Sequence, residues 1–145
     1  MSFHAEHFGV AASDAHLLKD WYVRVIRAKV LRQLSDSPPA WLVELPGGFW
    51  IEIYAADSKI EPQANRTAGW RHLALRVENI EAAREHLLSQ DVAVEESIKP
   101  AGSGGRVLFF SDPEGNLFHL VERPPDWSAN GARYETPFHS TRKST

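Results

Sequence analysis

The chain is written twice. Residues 5–55 and 70–123 run through the same order of elements, and an internal period of this length restricts the fold more than any composition figure. In the first half, Glu6 to Ala12 is a short apolar run that ends at Ser13-Asp14, a pair suited to begin a helix. Leu17, Leu18, Trp21, Tyr22, Val25 and Ile26 then recur at steps of three and four, which predicts one apolar helix face and an end near Arg27 to Lys29. Val30 to Leu34, Trp41 to Leu45 and Phe49 to Tyr54 read as strands. They are separated by the polar turn Ser35 to Pro39 and by Pro46-Gly47-Gly48.

A polar connection over 56–69, poor in apolar residues beyond Ile60 and containing Pro62, joins the halves. The order then restarts. Trp70 to Val77 is a predicted strand, Glu78-Asn79 a helix start, and Ala82, Ala83, His86 and Leu87 a helical stripe. A strand around Val92 and Val94 follows, then a glycine-rich loop from Lys99 to Gly105 that includes Gly102 and Gly104. Val107 to Phe110 and Leu117 to Val121 are the last strands, joined by the tight turn Asp112 to Asn116, whose Asp, Pro and Gly are explained by turn geometry. The expected fold is α+β: two βαβββ modules with curled mixed sheets that form a cleft. Each half alone leaves one sheet face uncovered, so the core requires pairing within or between chains, and a homodimer is expected.

Superposing the halves places His7 on His72, Asp14 on Asn79 and Glu52 on His119; 45 residues separate His7 from Glu52 and 47 separate His72 from His119. Ile51, Ile53, Phe118 and Leu120 flank Glu52 and His119, so strand alternation sends each polar side chain alone to the opposite face. An unpaired carboxylate or imidazole there is costly, and a hydrogen bond, water or metal relieves it. Three imidazoles and one carboxylate suit zinc, iron, nickel, cobalt or manganese. The chain has no cysteine, which excludes thiolate ligands and a cysteine nucleophile. His4, His16, His86 and His139 lie outside this pattern and are assigned no chemistry. Trp21 and Tyr22 are read as core. Trp41, Trp50, Trp70 and Arg106 are the candidate substrate-binding residues, and no catalytic residue is identified.

A net charge of −3 with scattered basic residues argues against a nucleic-acid partner, and Arg24, Arg27, Lys29 and Arg32 read as a solvated helix end. No P-loop or dinucleotide fingerprint is present. Nothing near the start resembles a secretory signal, and no stretch approaches the ~20 apolar residues of a spanning helix, so a cytoplasmic location without membrane contact is expected. The tail over 124–145 is polar and is expected to have little regular structure, with Trp127, Tyr134 and Phe138 as candidates to dock on a partner subunit.

The stretch His7-Phe8-Gly9-Val10-Ala11-Ala12-Ser13-Asp14, the Trp21-Tyr22 pair, and the more specific ending Phe109-Phe110-Ser111-Asp112-Pro113-Glu114-Gly115-Asn116-Leu117-Phe118-His119-Leu120-Val121-Glu122 resemble the vicinal oxygen chelate superfamily of glyoxalases, bleomycin resistance proteins and extradiol dioxygenases. The resemblance covers residues 5 to 123. It implies a divalent metal held by His7, Glu52, His72 and His119 and a small substrate bound through adjacent oxygens, with isomerase, lyase or dioxygenase chemistry. Many enzymes of the family have a carboxylate in place of His119, and in glyoxalase I it also transfers the proton, which counts against lactoylglutathione lyase activity here. The drug-sequestering members imply an alternative, a metal-free protein whose aromatic groove, including Trp41, Trp50, Trp70 and Phe118, holds a flat ligand. A third reading is a decayed site that serves only as an interaction partner.

Overall fold

The structure is a computed structural model and describes residues 1, 3–58, 64–101 and 104–127. Ile60, Pro62, Gly102, Tyr134, Phe138 and His139 lie outside the described residues. The elements in order are β1 (His7–Ala12), α1 (Ala15–Val25), β2 (Lys29–Asp36), β3 (Pro39–Leu45), β4 (Phe49–Ala55), β5 (His72–Val77), α2 (Ile80–Ser89), β6 (Lys99–Pro100), β7 (Arg106–Ser111) and β8 (Leu117–Glu122). They form two four-stranded mixed sheets, ordered β1-β4-β3-β2 and β5-β8-β7-β6, with β1 and β5 as edges.

The repeat extends to the register. His7 faces Trp50 across the parallel β1–β4 ladder, and His72 faces Leu117 across β5–β8. Glu52 and His119 lie two residues further along their strands, opposite Gly9 and Ala74. Both helices start in the same way. Asp14 and Asn79 have extended backbones, φ −136° and −138°, and accept the amide N–H of Leu17 and of Ala82. Both helices also end on a left-handed residue that is not glycine: Arg27 at φ 61° and Asp91 at φ 58°. The first helix therefore closes at Val25, a little before the expected Arg27 to Lys29, because the Ala28 N–H returns to the Tyr22 carbonyl.

Two strand expectations are corrected. β5 begins at His72 rather than Trp70, because its ladder partner β8 begins at Leu117 and offers nothing to pair with residue 70. Around Val92 and Val94 there is only an isolated bridge from Val94 to Phe110, while the expected loop supplies the two-residue strand β6. Val92 is instead buried in the core directly after α2.

Leu18, Tyr22, Val25, Val43, Ile51 and Ile53 from the first module join Ile80, Leu87, Leu108, Phe110, Phe118 and Leu120 from the second in one continuous core. Helix α1 links the two: Trp21 and Tyr22 pack their rings against Phe118, and Arg24 donates to the Gln90 carbonyl and side chain. The helix-bearing face of each sheet thus turns toward the shared core, and the opposite face lies outside it. No helix among the described residues is long and apolar enough to cross a membrane.

Candidate functional site

Alternation along β4 and β8 separates the core side chains from the polar pair. Ile51, Ile53, Phe118 and Leu120 are buried, while Glu52 and His119 project from the other face. On that face of the first sheet, His7 Nε2 stands 3.4 Å from Glu52 Oε2. On the corresponding face of the second sheet, the rings of His72 and His119 lie 4.4 Å apart between centroids, with Phe109 against both.

The two strand-opening histidines are oriented alike. His7 Nδ1 is 2.7 Å from a Glu6 carboxylate oxygen, and His72 Nδ1 is 2.8 Å from Asn65 Oδ1. Both partners are acceptors, so Nδ1 of each ring donates, which leaves Nε2 as the nitrogen that can turn a lone pair to a metal. His119 differs. Its Nδ1 is buried without a hydrogen-bond partner among the described residues, and its pKa is lowered to about 4 by burial, then by the neighbouring His72 and Arg123 charges. The ring is therefore neutral near pH 7 and able to give a lone pair. These nitrogen and oxygen donors fit a divalent borderline metal. They come as two pairs: among the described residues no three His, Asp or Glu side chains are close enough to hold one ion.

The four candidate substrate-binding residues separate. Trp50 shares the face of His7 and Glu52 and donates its indole N–H to Glu44 at 3.2 Å. Trp70 is 84% exposed and meets Phe8 edge-on at 5.7 Å, beside a cavity between the modules. Trp41 pairs with Ile53 and so lies on the helix side, where His16 packs against its ring and Lys19 Nζ sits 4.7 Å over it. Arg106 is also on the helix side, held in a fork by Glu81 of α2 and Glu122 of β8. The structure thus leaves Trp41 and Arg106 away from the His7–Glu52 and His72–His119 faces. Phe118 is likewise a core residue, stacked on Phe110 at 5.3 Å.

The turn after β7 does more than reverse the chain. Asp112 is buried and accepts the Tyr22 hydroxyl at 3.1 Å, the Glu114 and Asn116 amides, and the Asn116 side chain. Glu114 reaches back to the first module and accepts both the amide and the hydroxyl of Ser13. Turn chemistry explains the Asp and Gly from sequence, but no local signal reveals that this turn fastens the two modules.

The family model "Glyoxalase/Bleomycin resistance protein/Dioxygenase superfamily" matches residues 4–120. The protein YaeR of Escherichia coli strain K12 is 31% identical over 122 residues, which cover 81% of this chain and 94% of YaeR. A glyoxalase family protein from Enterococcus faecalis superposes with a TM-score of 0.68 at 28% identity, covering 82% of this chain and 97% of its own. The fosfomycin resistance protein FosX from Listeria monocytogenes, complexed with Mn(II) and sulfate, shares the fold with a TM-score of 0.68 at 19% identity, covering 87% of this chain and 94% of its own. With the repeated register and the paired polar side chains described above, these matches show that the chain belongs to the glyoxalase, bleomycin resistance protein and dioxygenase superfamily.

Proposed function

We propose that this protein is a metal-dependent enzyme of its superfamily that acts on a small substrate with adjacent oxygens, as an isomerase, lyase or dioxygenase, and that His7, Glu52, His72 and His119 hold the metal. The observation that carries this reading is the equivalence of the two pairs: the same register position in two sheets presents an imidazole beside a second donor. Mn(II) in the FosX structure supports a divalent ion, with zinc, iron, nickel, cobalt and manganese all compatible with the donors. A metal held there supplies Lewis acidity toward a substrate oxygen. The protein's part is to hold each ring by its Nδ1, turn each Nε2 outward and keep His119 neutral.

Each pair lies on the face turned away from the chain's own core, so the proposal includes a homodimer in which one protomer's His7 and Glu52 join its partner's complementary pair. Tyr54, two residues beyond Glu52 on β4 and so on the same face, is an exposed aromatic that a partner protomer would cover. The test is elemental analysis of untagged wild type beside His7→Ala and His72→Ala. About one metal per site, lost in both variants, is expected; no uptake after reconstitution with any of the five metals sinks the enzyme reading. The apolar cavity beside Phe8 and Trp70 favours the second reading, a metal-free binder of a flat ligand, for which both histidine substitutions leave binding intact.

A further inference from the structure

Between the edge strands β1 and β5 lies a cavity of about 430 Å³, walled by Phe8, Phe49, Leu73 and Phe118, with Trp70 and Arg71 at its rim. Its size falls within the range of small-molecule pockets, which combine apolar walls with a few polar groups. The polar group here is Arg71. It is half-buried, its Nε is fully buried without an acceptor, and no hydrogen bond or ion pair to it is present among the described residues. Arg106 and Arg24, by contrast, each have oxygen acceptors. Glu114 also lines the cavity, but both its oxygens are engaged by Ser13, so it does not serve Arg71.

A partly desolvated guanidinium without an acceptor is costly, and its fork matches a carboxylate in two-point contact. The local backbone accommodates this placement. Gly69 adopts φ 111°, and a Cβ there would stand 3.3 Å from Arg71 Nη2. We infer that the cavity binds a small organic anion with an aromatic or branched apolar body: Arg71 receives the carboxylate, and the body rests on Phe8, Trp70 and Phe49. The inference deepens the enzyme reading, since His72 lines the same cavity and the bound anion would lie beside a candidate metal ligand. The anion site itself needs no metal.

The experiment therefore uses chelator-treated full-length protein, titrated with phenylacetate and with neutral phenylacetamide while the arginine Nε–H signals are followed by NMR. Phenylacetate is expected to bind and shift the Arg71 Nε–H signal. Arg71→Met should weaken phenylacetate about 10- to 100-fold, the span of a charge-assisted contact, and leave phenylacetamide unchanged; Arg71→Lys should restore part of the affinity. Equal weakening of both compounds would make Arg71 a packing residue and overturn the inference, as would no phenylacetate binding to folded wild type. A change of oligomeric state in Arg71→Met without loss of phenylacetate binding would assign the guanidinium to a subunit contact, and also overturn it. Because metal is absent throughout, a failure here is separate from a failure of metal uptake.

Discussion

The Tyr22 hydroxyl and the Asp112 carboxylate meet across the module boundary, 90 residues apart in sequence, in a buried contact. Burial raises the Asp112 pKa, and the bonds from Asn116, Tyr22 and Glu114 pull it back; burial also raises Tyr22, which therefore stays a neutral donor. Tyr22→Phe deletes one buried hydrogen bond while keeping the ring against Phe118, so a loss of about 1–2 kcal/mol is expected in urea unfolding. No loss would mean that the other donors already satisfy Asp112. The sequence placed Tyr22 in the core from its helical spacing, and that much needed only the period. Its hydroxyl partner was not legible, because hydrogen bonds between distant segments leave no local pattern. The same holds for Arg27 and Asp91: a left-handed residue is normally announced by glycine, and here neither is one.

At the scale of elements, the caps were the most legible feature, since Asp14 and Asn79 act through their own local backbone. Asp14→Ala and Asn79→Ala should each cost about 1 kcal/mol of unfolding free energy. Asp14→Asn and Asn79→Asp should retain most of it. Glu122 anchors the second helix differently, by accepting the Ile80 amide and the Arg106 guanidinium. Those contacts, the Ile80 N–H first, hold its pKa below the ordinary 4.5. A lowered carboxylate pKa adds stability above the unfolded value, and this is lost as pH falls through the folded one. Wild type should therefore lose stability on acidification below about pH 4.5 more steeply than Glu122→Gln. Parallel acid limbs would remove Glu122 from the account. Strand ends were less legible than caps, as Trp70 and Val92 show, because a strand ends where its ladder partner ends.

For the whole molecule, the proposed sharing of the metal site has a stoichiometric consequence. A double variant lacking His7 and Glu52 and another lacking His72 and His119 should each bind no metal alone. Unfolded together and refolded, they should form heterodimers in which one protomer supplies the first pair and its partner the second, restoring one metal per heterodimer. No restoration in refolded heterodimers would overturn the shared site.

The sequence by itself determined the repeated βαβββ order, the matched positions of His7 with His72 and of Glu52 with His119, and the alternation that separates them from the core. These follow from short-range rules of side-chain period, capping and turn geometry, which act over a few residues. Only the tertiary structure decided that Trp41 and Arg106 face the helices and that Asp112 and Glu114 fasten one module to the other. The reason is physical: each helix covers the sheet of its own module, but the ring contacts and hydrogen bonds that fasten the halves join residues far apart in sequence, which no short-range rule reaches.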